Sequence, residues 1–149
     1  MPVKLCSMIL FDSHCHIDVE EFDRDREQVL EAARAAGVRD ILVPAVRRST
    51  WPALLELCSR DPHLYPALGL HPVFLPYHRH DDVAALAAMV AANRPVAIGE
   101  IGLDFHVAAL DRAQQQALLE AQLNVAAATG LPAVLHVRKA HDRMLGILH

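Results

Sequence analysis

VAIGEIGLD, residues 96–104, is an apolar run that ends at a carboxylate set between two glycines. Continuous rather than alternating apolarity suits a strand covered on both faces, as in a parallel sheet. Four further runs share this character: MILFD (8–12), DILVPAV (40–46), LYPALGL (64–70) and PAVLHV (132–137). Amphipathic stretches separate them. Phe22, Val29, Ala33 and Ala36 share one helical face, and Gly37 follows where a left-handed cap is expected. Thr50 is placed as an N-cap, with Trp51 and Pro52 in the first turn. Ala117, Leu118, Ala121, Val125 and Ala128 form a later stripe closed by Gly130, and a last helix starts near Ala140. Strand and helix thus alternate as βα units. Five such units fit either an open doubly wound sheet or part of an eight-fold barrel, and both folds put their active sites at the carboxyl ends of the strands.

Polar residues gather at those ends. His14 and His16 follow the first apolar run at i and i+2, so a strand continuing through them would point both imidazoles to one side, where they could grip one metal ion. Two capped or solvated histidines would read the same way. Glu100 would leave a costly unpaired charge at the end of its strand unless a cation or a strand-end arginine met it. His136, in PAVLHVR, is either a satisfied core histidine or a third strand-end ligand. His71 in LGLHP could face the same mouth or simply occupy a turn before Pro72. Asp104 could bind a water, orient a histidine or cap a turn. Arg138, two residues beyond His136, offers a fork suited to phosphate, although a surface salt bridge would use it equally well. The remaining histidines at 63, 78, 80, 106, 141 and 149 are assigned to scaffold or solvent.

Composition narrows the possibilities. The chain of 149 residues is 53% hydrophobic and 21% charged, enough for one domain with a real core and unlike a disordered segment. The longest apolar stretch, 83–92, is about half of what a membrane span needs, so no membrane association is expected. The N-terminal MPVKLCS lacks a secretory signal pattern, which makes the cytoplasm the expected compartment. Cys6, Cys15 and Cys58 form no C-x-x-C pair and are expected to be reduced thiols. A net charge of −4 excludes a generally basic nucleic-acid coat and leaves only local contacts of that kind.

With DSHCH, GLHP, GEIGLDF and LHVRKAH in this order, the chain resembles the TatD family of metal-dependent hydrolases from Met8 onward. The resemblance implies an α/β fold of the TIM-type (β/α)8 barrel, here an incomplete barrel of about five βα units, with residues 1–149 as the N-terminal portion of one domain. It also implies two divalent ions, Mg, Mn or Zn, and an activated water that hydrolyses phosphodiester bonds in DNA; some relatives act instead on aminoacyl-tRNA esters. Carried over by motif, His14 and His16 hold one ion, Glu100 bridges both as the catalytic carboxylate, and His136 binds the second. His71, Asp104 and Arg138 are the substrate-side candidates. The family pattern continues with a further strand-end histidine and a late aspartate that this chain does not contain, and Lys139 stands where relatives commonly carry an acid. The chain is therefore expected to be a portion of a complete hydrolase, with a short binding module as the alternative. The partner implied is nucleic acid, DNA or tRNA, and no obligate protein partner is called for.

Overall fold

Five parallel strands lie side by side in chain order: β1 (Leu10–Asp12), β2 (Val38–Pro44), β3 (Leu64–Leu68), β4 (Ala97–Asp104) and β5 (Ala133–Arg138). The structure, a computed structural model, describes residues 8–149, so Cys6 lies outside the described residues. Strand order decides between the two folds that periodicity left open. A doubly wound sheet reverses its order at a switch point, whereas a barrel adds each strand beside the one before it. The unbroken order β1-β2-β3-β4-β5 is that of a barrel wall, with β1 and β5 as its edges.

Helices α1 (Arg26–Ala35), α2 (Trp51–Arg60), α3 (Asp82–Asn93) and α4 (Arg112–Thr129) connect successive strands, and α5 (His141–Leu148) follows β5. All eight residues of β4 are buried, and Leu68, Ile98, Ile101, Leu103 and Leu119 around it are closed to solvent. Each such side chain contributes about 1.5–3 kcal/mol when removed from water, so the sheet is anchored on β4.

Three local expectations need correction. Phe22 belongs to a short 3-10 turn (Glu20–Phe22), and α1 begins only at Arg26. Thr50 makes no side-chain cap; its hydroxyl donates to the Arg47 carbonyl at 2.9 Å, because a 3-10 turn (Arg48–Thr50) leads directly into α2. The buried face of α4 is Gln115, Leu119, Gln122 and Ala126 rather than the alanine-rich stripe, and Ala117 and Ala128 are exposed. The two glutamines turn the helix. Gln115 accepts from the Asp104 N–H at 2.7 Å and donates to the Asp104 carbonyl at 2.9 Å. Gln122 makes the same pair of bonds with Leu70, at 2.7 and 3.1 Å. Each buried amide thereby satisfies main-chain groups that lose their sheet partners at a strand end.

Close approach of β5 to β4 depends on glycine. Gly102 has φ of +154°, and a Cβ there would lie 1.9 Å from the His136 carbonyl oxygen. Gly102→Ala is expected to cost about 3 kcal/mol or more, since main chain rather than a flexible side chain blocks the methyl group. Denaturant unfolding measures it, and an unchanged midpoint would contradict the contact.

Candidate metal centre

Glu100 sits where β4 departs from a regular strand. Ile98 pairs with Ala133 and Ile101 with Leu135, so β4 carries one residue more than β5 over this interval. Such a bulge re-aims a side chain, and here it lies at the carboxylate. The Glu100 N–H donates to the carbonyl of Ala45, just beyond β2, at 2.9 Å. Only 4% of the residue is exposed, so its charge must be met inside the protein.

Four histidines meet it. Oε2 lies 3.0 Å from His14 Nε2 and 3.1 Å from His16 Nε2, and those two nitrogens are 3.2 Å apart. Oε1 lies 3.1 Å from His136 Nδ1 and 3.5 Å from His71 Nε2. The carboxylate therefore divides the cluster into two donor sets, each of two imidazole nitrogens and one carboxylate oxygen, with all donors of a set within 4.8 Å of one another. An ion held at about 2.1 Å from its ligands keeps them roughly 3.0–3.4 Å apart, so the first set, at 3.0–3.2 Å, already has the spacing of a divalent cation, and the second, at 3.1 and 3.5 Å from Oε1, comes close to it. Nitrogen and carboxylate donors without thiolate suit Zn or Mn, and Mg more weakly.

The geometry of the first set differs from its expected origin. β1 ends at Asp12, so His14 and His16 lie in the following loop rather than on the strand. That loop is held beside β2 by the Cys15 N–H, which donates to the Leu42 carbonyl at 3.1 Å, and Asp12 Oδ1 accepts from the His14 N–H at 3.0 Å across the bend at Ser13. Alternation of side chains survives without the ladder.

Asp104 supports the second set. Its Oδ2 lies 3.0 Å from His136 Nε2, while Oδ1 accepts from the N–H groups of His106 and Val107 at 2.9 and 3.1 Å. The residue thus orients a histidine and caps a turn at once. With Nε2 donating to Asp104, His136 Nδ1 is the nitrogen that faces Glu100, through a proton when no cation is bound and through its lone pair when one is, the orientation a ligating imidazole requires. His71 stands inside this set, its ring 4.3 Å from that of His136. Its strand-end position was legible, but its nearness to Glu100 was not. His78, assigned to scaffold, donates from Nε2 to the His71 carbonyl at 2.9 Å and braces that turn. Arg138 is exposed at the end of β5 and is not part of either donor set.

Charge follows this geometry. Burial by itself raises the Glu100 carboxyl, but hydrogen bonds from His136, His16 and His71 outweigh it and hold the group far below the usual range. The same competition between burial and the His136 bond leaves Asp104 low. The Glu100 bond in turn raises His16 and His136 against the opposing effect of burial. A cation would take the place of the protons on these histidines.

A family profile described as "TatD related DNase" matches residues 11–149. The chain belongs to that family. Within it, the chain is 40% identical over 144 residues to the "Uncharacterized metal-dependent hydrolase YjjV" of Escherichia coli K12, covering 94% of this chain and 54% of that protein. It is 34% identical over 140 residues to the "3'-5' ssDNA/RNA exonuclease TatD" of Erwinia tasmaniensis, covering 93% of this chain and 54% of the relative. The crystal structure of the E. coli YjjV protein, a TatD homologue, superimposes with a TM-score of 0.86 at 38% identity, over 90% of this chain and 52% of that one. The chain spans about half the length of the relatives it matches, and its five strands form the curled half of a TIM-type barrel. It is a hydrolase-family chain whose relatives include metal-dependent enzymes. No helix among the described residues is long and apolar enough to cross a membrane.

Proposed function

We propose that the chain forms the first five βα units of a TatD-type barrel and supplies the floor of a two-metal site that hydrolyses phosphodiester bonds in DNA. The division of Glu100 between two histidine pairs carries this reading. In it His14 and His16 would hold one ion, His136 would hold the second with His71 beside it, and Glu100 would offer one oxygen to each. Mg, Mn or Zn, when bound, supplies positive charge at the phosphate oxygens and a water of lowered pKa. Asp104 keeps the His136 ring in its ligating orientation, and Arg138 meets a phosphate of the strand. Cations held by these two donor sets would supply positive charge on either side of a phosphodiester, which is the charge that hydrolysis at phosphorus calls for. The name of the Erwinia relative supports a single-stranded substrate. We assign the reaction to the cytoplasm, in keeping with Cys15 and Cys58, which are free thiols; burial pushes Cys58 up to about 12.

The test uses a protein in which the barrel is complete. Labelled single-stranded DNA is expected to shorten from its 3′ end in the presence of Mn²⁺, Mg²⁺ or Zn²⁺, and to remain intact after chelation. Release of amino acid from aminoacyl-tRNA, with DNA left whole, would assign the site to ester hydrolysis instead.

A further inference from the structure

Beyond the end of β2, the chain places Arg47 against two aromatic rings from the segment that follows β3. The Arg47 guanidinium carbon lies 5.3 Å from the Phe74 ring centre and 6.0 Å from that of Tyr77, and the two rings are 6.4 Å apart. This cluster is continuous with the metal centre. The Phe74 ring meets the His71 ring edge-on at 6.0 Å, and the Val46 carbonyl, one residue before Arg47, accepts from the His71 N–H at 2.9 Å. A polynucleotide strand whose scissile phosphate sat at Glu100 would therefore have a neighbouring unit beside these groups.

The surface there is a cleft of about 600 Å³ lined by Arg47, Arg48, Tyr77 and Arg79 and equally by Asp81 and Asp82. Its charges are not equivalent. Arg48 is committed to Asp81 and Asp82, at 3.0 Å from each. Arg47 has a buried Nε that finds no acceptor among the described residues. With Nε buried, the two terminal amino groups are what stacking leaves to donate, and phosphate is an acceptor that matches them. Tyr77 is 69% exposed, an unusual position for a large aromatic residue that is itself packed against an arginine. An exposed ring beside a free guanidinium is the pairing that single-stranded nucleic acid uses, with the base stacked on the ring and the phosphate on the cation.

We infer that Arg47 and Tyr77 form a nucleotide subsite next to the metal centre, in which Tyr77 stacks a base and Arg47 holds the adjoining phosphate of a single strand. The inference rests on the nucleic-acid reading above. It adds a subsite that binds without any metal, through the face of a base rather than its edges, and is therefore tolerant of sequence.

Equilibrium binding in the presence of a chelator tests it, with fluorescein-labelled oligothymidylate as one probe and an abasic oligonucleotide of equal length as the other. Tyr77→Ala is expected to weaken oligothymidylate binding about tenfold and to leave the abasic probe unchanged, while Tyr77→Phe restores the loss. Arg47→Ala is expected to weaken both probes and to flatten the salt dependence by about one phosphate contact. Equal affinity of Tyr77→Ala and the unaltered protein for oligothymidylate overturns the subsite and leaves the proposed function standing. Equal losses for the two probes overturn the stacking role. Failure of the unaltered protein to bind either probe under chelation overturns the subsite, and the metal-dependent cleavage assay then decides the proposed function by itself.

Discussion

Glu100→Gln, in a protein with the complete barrel, is expected to lower phosphodiester hydrolysis by about a thousandfold, equivalent to roughly 4 kcal/mol of lost transition-state stabilisation. The two oxygens of Glu100 serve different donor sets, one at 3.0 Å from His14 and the other at 3.1 Å from His136. Glutamine keeps the shape but offers one weak acceptor oxygen and an amide that can only donate. Both sets therefore lose anionic charge from a single substitution. Changing His14 alone would leave the second set whole and should cost less. Stability should fall far less than activity, because the amide can still accept from a histidine on one side and donate to one on the other. The measurements are kcat at saturating Mn²⁺, metal content by atomic emission, and thermal melting. Full metal content with undiminished kcat would remove Glu100 from the bridging role.

The 149-residue chain alone is expected to self-associate and to show no metal-dependent nuclease activity. A closed barrel has no sheet edges, whereas this sheet presents β1 on one side and β5 on the other. Apolar side chains accompany the open edge at β1: Met8, Ile9 and Phe11 are 72%, 61% and 54% exposed. On β5 the residues from Ala133 to Val137 are only half-buried, although four of the five are apolar. Unpaired main chain beside exposed apolar surface is a template for pairing with another chain. Activity fails for a separate reason. Each donor set holds three ligands, fewer than the four or more that these cations take, and the further histidine and late aspartate implied by the family resemblance are not in this chain. Light scattering together with an oligonucleotide assay in Mg²⁺, Mn²⁺ and Zn²⁺ decides the matter. A monodisperse monomer that cleaves DNA would refute both parts and require catalytic groups among the residues present.

Much of this molecule could be read before its tertiary structure, and the reason is physical. A strand that is to be covered on both faces has to be apolar throughout, so the five strands announced themselves as apolar runs, each displaced by only a few residues from its observed limits, although β1 at the open edge is exposed and β5 only half-buried. A charged or imidazole group at the end of such a run is costly unless something meets it, which singled out His14, His16, Glu100 and His136. The α4 stripe misled for the converse reason. Periodicity ranks residues by apolarity, and nothing local reveals that Gln115 and Gln122 will each bind both main-chain groups of one strand-end residue.

Residue type and spacing by themselves determined the βα alternation, the carboxyl ends of the strands as the place of the chemistry, and the donor types found there. The motifs, through the family resemblance, also implied the barrel, which the strand order bears out; tertiary structure alone decided that a bulge in β4 aims Glu100 at both histidine pairs and that His71 joins the second of them. Those facts depend on contacts between residues far apart in the chain, such as His14 and Glu100 at a separation of 86 positions. Local pattern sets which groups must find a partner, but packing and strand register choose the partner.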